Sequence, residues 1–142
     1  MEKAKLGLEK FPLKTFDKIR YNDTDRQGHV NNAAFSTFLE TGRVEVLYNP
    51  EFPILSDGAS FVIAALRLNF KREIKWPGQV EIGTGLRKIG NSSMVLYQAL
   101  FQQNECVADA ETVIVQVDDK TGASQPLSVE ARTTLINWVL RE

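Results

Sequence analysis

The chain has 142 residues, 43% hydrophobic and 25% charged, which is enough for one soluble globular domain with its own core and too little for a second. Its 17 basic and 18 acidic side chains leave a formal net charge of -1, so no broad field is available to hold nucleic acid or an anionic membrane. Cys106 is the only cysteine, which rules out an intramolecular disulfide and a cysteine-built metal site.

In chain order, residues 1–12 read as a loosely held arm ending at Pro12. The arm is charged, with no apolar stretch of signal-peptide length, and nothing downstream approaches the roughly 20 apolar residues of a spanning helix. A cytoplasmic location is expected. Residues 14–21 carry β-branched and aromatic side chains and predict a strand. A polar loop, residues 22–32, follows, with Gly28 as its turn. Phe35, Phe38, Leu39, Val46 and Leu47 then fall on one stripe of a long helix. Asn31 or Asn32 is its cap, and Asn49-Pro50 its stop. Small residues Ala34 and Gly42 invite close approach by a sheet.

The remainder predicts strands. Leu66, Leu68 and Phe70 alternate with polar residues, and Pro77-Gly78 marks a turn. Val80, Ile82 and Leu86 share a phase, Gly90-Asn91 breaks that strand, and residues 93–101 form the next. After a turn at Gln103-Asn104, residues 106–117 form a last long strand with Val107, Val113, Val115 and Val117 on one face. Residues 128–142 predict a C-terminal helix capped by Ser128. Short turns between strands favour antiparallel pairing, and one apolar helix against such a sheet makes a two-layer α+β domain.

The chemistry concentrates in the loop before the long helix. A helix start leaves backbone N–H groups unpartnered and carries a positive partial charge, which suits the oxyanion formed when a carbonyl is attacked. A carboxylate beside it can serve as base or nucleophile on the same carbon. Asp25 lies seven residues before Asn32, and Gly28 lets the loop fold back, so one loop can present both groups. Asp-Thr-Asp before a helix is most often a turn and cap arrangement, and the residues alone leave both readings open.

The stretch from Tyr21 through Asp23-Thr24-Asp25, Gly28-His29-Val30-Asn31-Asn32 and Phe35 to Glu40 and Gly42-Arg43 resembles the signature of the 4-hydroxybenzoyl-CoA thioesterase family, in the hotdog superfamily. Glu73-Ile74-Lys75-Trp76-Pro77-Gly78, Lys88 to Ser93, and Val117-Asp118 extend the resemblance over most of the chain. It implies a hotdog fold, a long central helix wrapped by a curved antiparallel sheet, and hydrolysis of an acyl-CoA thioester to a carboxylic acid and free CoA. By resemblance, Asp25 is the catalytic base or nucleophile and the backbone N–H near Asn32 the oxyanion donor. His29 matches a histidine that takes part in plant acyl-ACP thioesterases, where Gln27 replaces an asparagine. Gln27, Ser92 and Ser93 are the expected substrate contacts, the two serines along the pantetheine arm. No metal and no cofactor are expected; CoA is part of the substrate. The resemblance further implies a homo-oligomer, a dimer or a dimer of dimers, in which residues around Gly58 to Val62 of one chain line the pocket of the other.

Other residues carry alternatives. Asp23 reads as a turn or cap residue. Glu40 is a helix carboxylate with a pairing to Arg43 at i,i+3. Lys71, Arg72, Arg87 and Lys88 suit CoA phosphates or solvated strand faces. Cys106 is a structural strand residue. Two other functions fit the same pattern: a binding module that holds an acyl-CoA or acyl carrier without chemistry, and a hotdog dehydratase. One histidine is too few for a metallohydrolase, and neither a Gly-x-Ser-x-Gly elbow nor a phosphate loop is present.

Overall fold

The computed structural model describes residues 6–25 and 28–140. Five strands form one sheet: β1 (Leu13–Lys18), β2 (Ala59–Phe70), β3 (Gln79–Ile89), β4 (Ser93–Gln102) and β5 (Glu105–Asp118). Their order is β1-β3-β4-β5-β2, and every pairing is antiparallel. Helix α1 (Asn32–Leu47) connects β1 to β2, so strands adjacent in sequence stand at opposite edges and the helix crosses the sheet face between them. This is the expected α+β arrangement.

Five of the seven buried residues of α1 are the stripe predicted from sequence; Gly42 and Arg43 complete the face. Gly42 is where the helix comes nearest the sheet. A Cβ there would lie 2.6 Å from Ile82 Cγ2, Thr84 Oγ1 and Gln98 Nε2. The gap holds a polar seam, because Gln98 Nε2 donates to the Leu39 carbonyl at 2.9 Å and to Thr84 Oγ1 at 3.0 Å. The main core lies on either side, with Phe35, Phe38, Leu39, Ile74, Val80, Ile82 and Leu100 towards the start of α1. Val46, Leu86, Leu96, Ile114 and the C-terminal helix α2 (Val129–Ile136) lie towards its end.

Four expectations change. The first strand stops at Lys18, because Tyr21–Asp23 turn into a 3-10 helix. The arm before Pro12 is held from Leu6 onward: Phe11 is only 1% exposed and its ring packs on Tyr97 and Phe101. Gly83 makes room for it, since a Cβ there would sit 2.5 Å from the Phe11 ring; residues 1–5 of the arm lie outside the described residues. The predicted valine face of β5 splits. A bulge places Cys106 opposite Phe101 and Ala108 opposite Leu100, so Val107 turns into the core beside Ala108 and Ala110 while Val113, Val115 and Val117 lie half-buried on the opposite face. The C-terminal helix ends at Ile136, after which Val139 bridges Leu86 in the lane that short β1 leaves unfilled.

Other details follow the expected chemistry. Asn31 caps α1 by accepting from Ala33 N–H at 2.9 Å, and Ser128 caps α2 by accepting from Ala131 N–H at 3.0 Å. Gln103 and Asn104 both take positive φ, 52° and 64°, the conformation a two-residue hairpin turn requires. Gly42→Val should lower stability by about 2 kcal/mol or more through overpacking, read as a fall in the thermal midpoint with the helical circular-dichroism signal retained below it.

Candidate active site

The loop ahead of α1 is held by its backbone. Asp25 N–H donates to the His29 carbonyl at 2.8 Å, and Gly28 N–H donates back to the Asp25 carbonyl at 3.2 Å. Gly28 has φ of 78°, the left-handed conformation that glycine adopts at no steric cost. Asn31 N–H donates to the Asp23 carbonyl at 2.7 Å, and Val30 N–H to the Ile74 carbonyl at 2.8 Å. Val30 and Ile74 are both buried in the core, so the loop is fastened to the segment between β2 and β3. Asp23 fills the cap role expected of it, accepting from Arg20 N–H at 2.8 Å.

This scaffold brings three predicted residues together. Asp25, His29 and Asn32 line one pocket of about 340 Å³ at the start of α1, with Phe35 and Phe70 as its apolar wall and Lys71 and Arg72 at its rim. Phe35 and Phe70 meet edge to face at 5.0 Å. The Asp25 carboxylate accepts from His29 N–H at 3.3 Å. Asn31 takes up the next two N–H groups of the helix, that of Ala33 with its side chain and that of Ala34 with its carbonyl. Asn32, the first helical residue, is the one that lines the pocket.

Glu73 also faces this pocket and escaped sequence reasoning. Its carboxylate lies 3.2 Å from His29 Nδ1, so it can fix the imidazole tautomer and the ring orientation. One signal was present: Glu73 directly precedes Ile74, a core residue, in a stretch that carries the family resemblance.

The other expected residues fall elsewhere. Gln27 lies outside the described residues. Ser92 ends the turn between β3 and β4 and Ser93 opens β4; there Gln116 N–H donates to the Ser92 carbonyl and Gly90 N–H to that of Ser93. β4 runs from Ser93 to Gln102, and Gln102 binds the backbone of Lys75, which bridges His29. Ten residues of strand therefore separate the serines from the site, roughly 30 Å at the usual rise, and a single protomer does not bring them to Asp25.

Lys71 pairs with Asp109 at 3.7 Å and Arg72 with Glu105 at 3.1 Å, both still lining the pocket. Arg87 instead pairs with Glu111 and lies over the Tyr97 ring at 4.0 Å, and Lys88 is exposed on β3. Glu40 is exposed; burial lowers the Arg43 pKa, and the Glu40 charge opposes that shift. Cys106 sits half-buried at the bulge, with its thiol donating to the Ala108 carbonyl. Replacing the cap, Asn31→Ala, should cost about 1 kcal/mol of stability, measured by denaturant unfolding.

A profile of the thioesterase-like superfamily matches residues 19–139. The long-chain acyl-CoA thioesterase FadM of Escherichia coli is 30% identical over 131 residues, covering 89% of this chain and 99% of that protein. A Thermus thermophilus thioesterase solved with coenzyme A and zinc superposes with a TM-score of 0.75 at 26% identity, over 89% of this chain and 93% of its own. A Pseudomonas aeruginosa protein shares the fold with a TM-score of 0.83 at 22% identity, over 94% and 96% of the two chains. The fold is that of the hotdog proteins, and the chain belongs to the thioesterase-like superfamily.

Proposed function

We propose that the protein hydrolyses acyl-CoA thioesters to a carboxylic acid and free CoA, in the manner of the 4-hydroxybenzoyl-CoA thioesterase family. The observation that carries this reading is the shared pocket of Asp25, His29 and Asn32 at the start of α1. Relatives named as acyl-CoA thioesterases support it.

The mechanism follows from what each group offers. The thioester carbonyl oxygen takes the Asn32 N–H, where the helix dipole stabilises the charge that develops on attack. Asp25 delivers that attack, either through its own oxygen, forming a mixed anhydride that water then cleaves to the acid, or through a water it deprotonates. His29, paired with Glu73, orients the Asp25 loop and offers a proton to the departing thiolate. Phe35 and Phe70 flank the acyl group, and Lys71 and Arg72 draw the anionic substrate towards the pocket.

The site is completed by a second copy. β2 is a sheet edge of 12 residues, and Val62, Ile63, Leu66 and Phe70 are 42–51% exposed on it. A long apolar edge of this kind invites pairing. Antiparallel pairing of two β2 strands sets the Gly58–Val62 end of one protomer beside the Phe70 end of the other. That arrangement carries the partner's turn between β3 and β4 towards the pocket, which gives Ser92 and Ser93 their route to the substrate.

Four measurements test this reading. Asp25→Asn should lower kcat at least roughly a hundredfold on acyl-CoAs with the far-ultraviolet spectrum unchanged; near wild-type turnover refutes the role. Glu73→Gln should lower kcat by about tenfold or more with the fold intact, whereas unchanged turnover removes Glu73 from the chemistry. By light scattering the protein should be a dimer or larger, and Leu66→Arg should give monomers with little activity. If a panel of acyl-CoAs yields no free CoA with a thiol reagent, the protein only binds them.

A further inference from the structure

Outside the pocket, two large aromatic side chains left in solvent sit together. Tyr21 is 74% exposed and Trp76 is 44% exposed. Their rings meet edge to face, with centroids 5.4 Å apart. They line a mostly apolar groove of about 470 Å³ with Lys18, Arg20 and Pro77. Core packing does not account for the pair, because neither ring belongs to the buried clusters. Exposed aromatic surface beside cations suits a flat, electron-rich ring that carries phosphates.

Both walls of the groove lie only a few residues along the chain from the active site. Tyr21 precedes Asp25 by four residues, and Trp76 follows Glu73 by three. At about 3.6 Å per residue, these Cα atoms lie at most about 14 Å and 11 Å from those of the site, within the reach of an extended pantetheine arm. Arg20 spends one contact on Asp23, at 3.4 Å, while its side chain stays 65% exposed. A guanidinium has five N–H donors, so it retains several for an anion. Lys18 lines the same groove.

We propose that Tyr21 and Trp76, flanked by Lys18 and Arg20, form a subsite for the nucleotide end of CoA. The adenine ring stacks on the open face of Trp76, Tyr21 closes one edge, and the two cations take phosphate oxygens. The role in catalysis rests on the hydrolase reading above; the binding does not. A carrier-protein thioester has the pantetheine arm without the nucleotide, so the subsite selects CoA over a carrier.

The test uses the full-length protein, two substrates and one ligand. Trp76→Ala and Tyr21→Ala should each raise KM for an acyl-CoA roughly tenfold, the usual worth of a stacked base. KM for the same acyl group on N-acetylcysteamine, which lacks the nucleotide, should stay within about twofold. Adenosine 3′,5′-bisphosphate should quench the tryptophan emission of the wild type and leave that of Trp76→Phe unchanged. Equal losses on both substrates mean that the ring pair merely staples two loops and overturn the proposal, as does the absence of quenching in the wild type. If the wild type hydrolyses neither substrate, the hydrolase reading fails, and the quenching still decides whether the nucleotide binds.

Discussion

The site depends on one backbone hydrogen bond, Val30 N–H to the Ile74 carbonyl at 2.8 Å. Each partner also buries its side chain in the core beneath α1, so the bond is made where water does not compete. It joins two segments far apart in sequence, the loop before the helix and the connection from β2 to β3. Asp25 and His29 come from the first, Glu73 from the second. The 3.2 Å approach of His29 and Glu73 therefore results from core packing, although Glu73 is exposed and His29 only half-buried.

The same constraint separates stability from chemistry. The Asn31 side chain and carbonyl occupy two of the N–H groups at the helix start, and Asp23 closes the preceding turn. These contacts fix the direction of α1 and the depth of the loop. Asn32, one residue further along, meets the pocket. One short segment thus divides its polar groups between holding the helix and facing the substrate, which explains why so many Asp and Asn residues crowd into it.

Much of this was legible from residue order. The α1 stripe, its cap and the turn glycine at Gly28 are local features, set by side-chain period and backbone freedom, and they appear where the sequence places them. The valine face of β5 was not legible, because a bulge at Val107 inverts the alternation and depends on how β4 pairs. The tethered arm was missed for a similar reason: Phe11 is buried only because Gly83, seventy-two residues later, leaves space for its ring. Glu73 escaped because its partner comes from a distant segment. Ser92 and Ser93 follow a different logic, since a route to the site exists for them only between protomers.

A crystal structure with a non-hydrolysable acyl-CoA analogue, the thioester replaced by a thioether ketone, tests the geometry of the site directly. The ketone oxygen should lie about 2.7–3.1 Å from Asn32 N, with the Asp25 carboxylate facing the carbonyl carbon directly or through one water. A ketone seated away from the start of α1, or an Asp25 carboxylate turned to bulk solvent in the complex, would contradict it.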